Sequence, residues 1–212
     1  MVADEQTAGR GRFGRSWEAE PQANVLFSLL VRPHFLQRDE IFILTFAAAV
    51  SVAEAIEDVT GIRCGLKWPN DVMLDGKKVC GILLESSFES NRLSHVVLGI
   101  GLNVNQQVFS PDILERATSL SLFAGKKFDR DELLFAILTN LSSIHESLQK
   151  RDFYFVMKRW RDRSTLFGKK VVVSLAGKTI EGLCDDVADD GTLILRTGSG
   201  VERFSAGEVT IL

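Results

Sequence analysis

The sequence has little cysteine, little histidine and little net charge, and each shortage excludes a class of protein. The three cysteines, Cys64, Cys80 and Cys184, are far apart and lack CxxC spacing, so we predict neither a disulfide framework nor a zinc site. The three histidines are equally scattered, and we assign none of them a catalytic role. The formal net charge of -3 provides no global positive field for a nucleic acid backbone or an anionic membrane.

Long apolar runs are also missing. No stretch is long enough to span a bilayer, and the start MVADEQTAGRGR lacks the apolar centre of a signal peptide, so we expect a cytoplasmic protein. Hydrophobic residues nevertheless make up 45% of the 212 residues and charged residues 25%, which is the balance of a globular protein. This length fits one larger domain with a small domain appended.

The apolar pattern predicts an α+β protein in two parts. Strands are predicted over residues 24–32, 63–68, 72–74, 78–86 and 95–104, with a tight hairpin turn at Asp75-Gly76. Helices are predicted from Asp39 to a stop at Gly61, from a cap at Asp129 to residue 148, and over 153–161. After Phe167, short alternating runs between glycines predict a small all-β domain, and we place the two domains at 1–164 and 165–212.

Glycine and arginine alternate in the run GRGRFGR from Gly9 to Arg15. The run formally matches GxGxxG, but the residues after it have no helical period and include Pro21, so we do not predict a dinucleotide-binding helix N-terminus. It also lacks the GK[ST] ending of a Walker loop. Guanidinium groups on a glycine-rich backbone suit a loop that closes over an anionic ligand, and we favour this function over a merely solvated basic loop.

Three further segments place polar groups or glycines near strand ends. KWPND, residues 67–71, gathers a cation, an amide and a carboxylate around a proline, although an ordinary turn with a surface ion pair is an alternative. In KKVCGILLE, residues 77–85, adjacent lysines alternate faces, so only one can point inward. In GIGLN, residues 99–103, glycines would let a ligand approach the backbone, with a simple packed strand as the alternative.

Together and in this order, AGRGRFGRSW, KWPND, GKKVCGILLE and GIGLNVN resemble biotin protein ligases, which use ATP to activate biotin and couple it to a lysine. The resemblance covers residues 3 to about 105 by motif and the rest by layout. It implies a class II synthetase-like catalytic domain, with a mixed β-sheet and packed helices, followed by an SH3-like barrel. It also implies ATP, biotin and Mg²⁺ as ligands, and a biotin carboxyl carrier protein of acetyl-CoA carboxylase as the acceptor. A homodimer fits the family's habit.

The resemblance assigns site residues position by position. The catalytic cations are Arg12, Lys67 and Lys78, of which Arg12 and Lys78 face the biotin carboxylate. The biotin side consists of Gln6, Gly9, Arg10, Arg12, Lys78, Gly81, Leu83, Gly99 and Leu102. The ATP side consists of Arg15, Trp17, Lys67, Asn70, Asp71 and Asn103. Trp17 is expected near the adenine, and Asp71 is the nearest candidate for Mg²⁺.

Some alternatives stay open. The family carries a Ser-Thr-Asn motif that contacts the biotin ring upstream of the glycine-arginine run, and the sequence begins after it, so an inactive biotin-binding or dimerising remnant is one alternative. A lipoate or octanoyl ligase of the same fold is another, although GRGRFGRSW with KWPND favours biotin. Four cations between residues 158 and 163 suggest a nucleic acid contact or a solvated helix face, and we favour the solvated face.

Overall fold

A computed structural model describes residues 1–89 and 92–212 of the chain. Within these residues the strands form one sheet of six and one of five, and the predicted α+β class is confirmed. The first sheet contains β1 (Val2–Ala3), β2 (Val25–Val31), β3 (Gly65–Lys67), β4 (Asp71–Leu74), β5 (Lys77–Glu89) and β6 (Arg92–Leu102). The second contains β7 (Lys170–Leu175), β8 (Lys178–Val187), β9 (Leu193–Thr197), β10 (Gly200–Phe204) and β11 (Glu208–Ile211). The helices are α1 (Ile43–Thr60), α2 (Leu120–Ala124), α3 (Arg130–Gln149) and α4 (Phe153–Arg161).

The six-stranded sheet has the order β1-β2-β6-β5-β4-β3, and its neighbouring strands are antiparallel. Parallel pairing is present at two isolated bridges, Leu66 with Ser164 and Lys78 with Ala117. Because side chains alternate along a strand, the two central strands present different chemistry on their two faces. One face carries the buried apolar residues Cys80, Ile82, Ile100 and Leu102, and the other carries Gly81, Leu83, Gly99 and Gly101.

Helix α1 lies at the centre of the larger part of the molecule. It packs against β3, β4, β5 and β6, and also against α3 and α4. Apolar residues around most of its circumference are therefore buried, as expected for a helix between two layers. It ends at Gly61, where φ is 74° and the backbone N–H donates to the Glu57 carbonyl, so the predicted glycine stop is confirmed. No helix in the described part of the chain is long and apolar enough to cross a membrane.

Helices α3 and α4 cover the outer side of α1. Asp129 caps α3 by accepting hydrogen bonds from the backbone N–H groups of Asp131 and Glu132, as the sequence predicts. The cations on and after α4 form ion pairs with neighbouring acids: Lys158 with Asp162, Arg159 with Glu54, Arg161 with Asp186 and Asp189, and Arg163 with Glu57. The pairing disfavours a nucleic acid contact, but only Lys158 is mostly exposed; the prediction of a solvated face is wrong for Arg159, Arg161 and Arg163, whose side chains are 34%, 20% and 14% exposed.

The five-stranded sheet, in the order β10-β9-β8-β7-β11, lies against the larger part through the turn between β8 and β9. Gly191 in this turn packs so closely on α1 that a Cβ there would lie 2.3 Å from the Phe42 ring. The buried hydrophobic residues of both parts form one continuous cluster. The domain boundary at 164/165 stays a prediction.

Candidate active site

The glycine-arginine run forms a short hairpin rather than an extended loop. The Trp17 N–H donates to the Gly9 carbonyl at 2.9 Å, and the Gly11 N–H donates to the Arg15 carbonyl at 2.7 Å. A Cβ at Gly9 would lie 2.4 Å from the Trp17 carbonyl oxygen, so the closure of this hairpin requires glycine. The next regular strand or helix in the described residues is β2, which confirms that no phosphate-binding helix follows the run.

The hairpin is held over the open face of the six-stranded sheet. Beside it lies a cavity of about 430 Å³, lined by residues 10–15 together with Leu83 and Glu85. Burial lowers the pKa of the Arg12 guanidinium, and the nearby carboxylate of Asp71 partly opposes this change. Each arginine contacts a different part of the chain: Arg10 contacts Glu85 of β5 at 3.0 Å, Arg12 contacts Asn70 at 3.1 Å, and Arg15 contacts Glu208 of β11.

A β-bulge turns Lys78 toward this cleft. Val72 pairs with Cys80 and Met73 pairs with Lys78, so β5 contains one extra residue, Val79, relative to β4. Lys78 therefore shares a face with Gly81, and its Nζ would lie 3.0 Å from a Cβ added there. The Lys78 ammonium forms an ion pair with Asp71 at 2.6 Å.

The side chain of the neighbouring Lys77 points in a different direction from that of Lys78. Its ammonium donates to the Leu114 carbonyl at 3.3 Å, in an exposed position. The prediction that only one of the two lysines points inward is thereby confirmed.

The KWPND segment forms the turn between β3 and β4, with a cis peptide between Trp68 and Pro69. Lys67 pairs with Asp71 across the turn, and the Asn70 side chain donates to the Ile82 carbonyl at 2.7 Å. Burial lowers the pKa of Lys67, and Asp71 partly opposes this change. The turn therefore brings Lys67, Asn70 and Asp71 together beside Lys78.

Gly81, Gly99 and Gly101 form a side-chain-free surface of the sheet that we call the glycine strip, and the Trp17 ring lies over Gly81 and Gly101. Cβ atoms added to Gly81 and Gly101 would lie 2.8 Å and 2.7 Å from the indole ring. The Lys78 ammonium is 5.5 Å from the ring centroid, within the range of a cation–π contact. The indole N–H is buried without a hydrogen-bond partner among the described residues. The structure thus brings Trp17, predicted on the ATP side, onto Gly81, predicted on the biotin side, and onto Gly101, which was not among the predicted site residues.

The remaining predicted residues divide into those near the cleft and those away from it. The side-chain oxygen of Gln6 would lie 3.0 Å from a Cβ on Gly9, at the base of the hairpin. Leu83 and Gly99 pair with each other farther along the open face. Leu102 is fully buried on the opposite face in the hydrophobic core, so the structure does not bring its side chain to the cleft.

Asn103 lies at the buried end of β6, next to the glycine strip. Its amide N–H₂ donates to the Thr118 carbonyl at 3.0 Å. Its side-chain oxygen is buried and has no hydrogen-bond partner in the parts of the chain described. The contact with Thr118 connects Asn103 to the segment that contains Arg116.

Two charged residues of the cleft were missed from the sequence. Glu208 begins β11, distant in sequence, and its carboxylate raises the pKa values of Arg12 and Lys67 against the effect of burial. Arg116 further lowers the pKa of Lys67, and its carbonyl accepts the Lys78 backbone N–H at 2.8 Å. Neither lies in a motif, and only the proximity of β11 and of residues 116–118 to the cleft reveals them.

The described residues contain no group of three or more His, Cys, Asp and Glu side chains that could hold a metal ion. The cleft carboxylates Asp71 and Glu208 are already paired with Lys78 and Arg15. A magnesium ion would fit here only with phosphate oxygens supplying most of its ligands, which is its usual mode of binding. The side chains therefore suit an ion that enters bound to a nucleotide.

Known proteins resemble both parts of the chain. The profile of the biotin/lipoate A/B protein ligase family matches residues 1–103, and that of the biotin protein ligase C terminal domain matches residues 166–212. The bifunctional ligase/repressor BirA of Bacillus subtilis is 36% identical over 214 residues, which cover 100% of this chain and 65% of that protein. The chain spans the same 65% share of BirA from Bacillus spizizenii, so it is about two thirds as long as these relatives.

Other relatives match over a larger share of their own length. The biotin--[acetyl-CoA-carboxylase] ligase of Mycobacterium tuberculosis is 34% identical, and the match covers 100% of this chain and 78% of that protein. A structure of the Aquifex aeolicus biotin protein ligase in complex with biotin and ATP superposes with a TM-score of 0.88 at 32% identity. That match covers 100% of this chain and 87% of the Aquifex chain.

Proposed function

Because the chain belongs to the biotin protein ligase family, we propose that it activates biotin with ATP and transfers the biotinyl group to a lysine of an acceptor protein. One observation of the structure carries the proposal. Arg12, Lys67 and Lys78, which come from three separate segments, all interact with Asp71. Arg12 also lines the cavity of about 430 Å³ beside the hairpin, which is large enough for a small anionic ligand.

The first step is attack by the biotin carboxylate on the α-phosphate of ATP, which gives biotinyl-adenylate and pyrophosphate. Both reactants are anions, so their approach requires cations that are already in position. Lys78 and Arg12 bind the carboxylate in this account, and Lys67 faces the phosphates. Lys78 then exchanges its ion pair with Asp71 for one with the biotin carboxylate.

The second step is attack by the acceptor lysine on the acyl carbon of the adenylate, which releases AMP. The hairpin lies over the cleft and would limit the access of water to the mixed anhydride. A Mg²⁺ ion carried by ATP would offset the phosphate charge, with Asp71 as its nearest protein ligand. Arg15, Trp17, Asn70, Asp71 and Asn103 form the nucleotide side together with Lys67. The biotin side consists of the hairpin base, Lys78, Leu83 and Gly99, the part of the glycine strip that Trp17 leaves uncovered.

The acceptor that we propose is the biotin carboxyl carrier protein of acetyl-CoA carboxylase, because that carboxylase appears in the name of the Mycobacterium tuberculosis relative. Strand β1 has two residues, Val2 is 61% exposed, and nothing in the described residues pairs with the outer edge of β1; we propose that a second copy of the chain covers this edge in a homodimer. The homodimer and the cytoplasmic location stay predictions.

Pyrophosphate release from Mg-ATP tests the proposal. We expect release that requires biotin and is not supported by lipoate or octanoate. Lys78→Ala should lower the rate by about 100-fold, the scale of losing one charge-stabilising group. Lys77→Ala is the matched control, because its ammonium points away from the cleft, and it should retain the full rate. Release with lipoate alone would support the lipoate alternative, and a folded protein that releases none would support the inactive one.

A further inference from the structure

The side chain of Trp68, in the KWPND turn, points toward the second sheet. It is 2% exposed, and its indole N–H donates to the Gly191 carbonyl at 2.9 Å. Gly191 belongs to the turn between β8 and β9, residues 188–192. The tryptophan thus connects the turn that carries the nucleotide-side residues with the C-terminal sheet.

The strand that precedes Trp68 is connected to the same part of the molecule through its backbone. The Leu66 N–H donates to the Arg163 carbonyl at 2.7 Å, and the Thr165 N–H donates to the Leu66 carbonyl at 2.9 Å. Residues 163–165 lead directly into the C-terminal sheet. Both the backbone of β3 and the side chain of Trp68 are therefore fixed by contacts outside the catalytic sheet.

The 188–192 turn is itself held firmly. Gly191 has φ 75°, and a Cβ there would lie 2.3 Å from Phe42 and 2.9 Å from Phe46. Arg161 donates to the Val187 carbonyl at 2.7 Å and forms an ion pair with Asp189 at 2.6 Å. The acceptor of the Trp68 hydrogen bond is therefore fixed relative to α1 and α4.

We propose that Trp68 is a positioning residue through which the docked C-terminal sheet sets the affinity for the nucleotide. Its hydrogen bond to Gly191 fixes the turn on which Lys67, Asn70 and Asp71 lie. Loss of that bond would let these three groups move while the glycine strip and Lys78, on β5 and β6, keep their positions. The inference rests on the proposed function for the identity of the nucleotide as ATP.

The test compares Trp68→Phe, which removes the indole N–H, with Trp160→Phe. Trp160 is a similarly buried tryptophan, 0% exposed, whose ring lies 5.2 Å from that of Phe46. We expect Trp68→Phe to raise the KM for Mg-ATP about fivefold, the effect of losing one buried hydrogen bond, with the KM for biotin unchanged. Trp160→Phe should lower the melting temperature and leave both KM values unchanged.

Arg161→Gln provides a second variant at a less buried position. The substitution removes side-chain contacts that hold the 188–192 turn, so, like Trp68→Phe, it should raise the KM for ATP. An equal rise of both KM values in Trp68→Phe, or an unchanged KM for ATP in a folded Trp68→Phe and Arg161→Gln, would overturn the inference.

If the wild-type chain shows no biotin-dependent pyrophosphate release, the proposed function is contradicted, but the role of Trp68 can still be tested by nucleotide binding. The probe is then α,β-methylene-ATP, with affinities measured by calorimetry. Weaker binding by Trp68→Phe than by Trp160→Phe would support the inference on its own. Equal binding by the two variants, or no binding by the wild-type chain, would overturn it.

Discussion

At the scale of single residues, whether a lysine brings its charge to the cleft depends on the direction in which its side chain points. Lys77 and Lys78 are adjacent, yet only Lys78 contacts Asp71, because the bulge at Val79 sets the face on which it lies. The alternation of side chains along a strand predicted that one of the two lysines points inward, and the family resemblance identified it as Lys78. The bulge is invisible in the sequence, because it depends on the register with β4.

Lys67 gives a prediction about pH. Burial lowers its pKa from 10.5, so the folded chain loses this charge at a lower pH than the unfolded chain does. The charged form of Lys67 therefore lowers the free energy of unfolding at neutral pH. This loss disappears as the pH rises from the pKa of Lys67 in the folded chain toward 10.5, its value in the unfolded chain. We expect kcat/KM for ATP to fall on the alkaline side with a midpoint below 10.5.

The variant Lys67→Arg should move this alkaline limb upward, because arginine keeps its proton across the accessible range. Lys77→Arg is the control and should leave the limb in place. An alkaline limb that is the same in Lys67→Arg and in the wild type would assign the titration to another group.

At the scale of helices and strands, the sequence predicted correctly those features that depend on a few consecutive residues. Helix α4 has the predicted bounds, and Gly61 ends α1 as predicted. The start of α1 was predicted at Asp39, whereas the structure has a 3₁₀ turn over residues 38–40 and the helix begins at Ile43. The position of the glycine-arginine hairpin over the sheet was not predicted, because it depends on Arg10, Arg12 and Arg15 contacting three distant segments.

Alanine substitutions at two glycines of the glycine strip, Gly101 and Gly99, are expected to have different effects. In Gly101→Ala the new Cβ would lie 2.7 Å from the Trp17 ring, so the indole must move, and we expect the rate of pyrophosphate release to fall about tenfold or more. In Gly99→Ala the nearest atom, the Leu83 carbonyl oxygen, is 3.6 Å away, so Trp17 and the fold should be unchanged.

Steady-state kinetics and the emission spectrum of both variants check this prediction. Gly99→Ala should raise the KM for biotin alone, since biotin is proposed to lie along that part of the strip. A Gly101→Ala enzyme with wild-type rates and emission would contradict the proposed packing of Trp17.

At the scale of the whole molecule, the two sheets share one core and one cleft. The C-terminal sheet supplies Glu208 next to Arg15 and the Gly191 carbonyl next to Trp68. The sequence predicted that a small all-β domain would follow, because alternating apolar runs are a local signal. That Glu208 is the residue through which this domain brings charge to the cleft could not be predicted, because nothing in β11 marks the docking geometry.

The shared core also predicts the reactivity of the cysteines. Burial raises the pKa of Cys64 to about 12 and that of Cys184 to about 12, and it raises that of Cys80 as well. All three thiols should therefore react slowly with Ellman's reagent in the native chain and rapidly after unfolding. Fast labelling of all three in a chain with native circular dichroism would contradict the described packing.

Formation of the acyl-adenylate is the most direct test of the central claim that this cleft activates biotin. The chain would be incubated with biotin and ATP labelled at the α-phosphate, without acceptor, and the products separated after acid quenching. We predict labelled biotinyl-adenylate that stays with the protein and disappears when a biotin carrier domain is added, with AMP as the product. A folded chain that forms no adenylate at saturating biotin and Mg-ATP would contradict the claim.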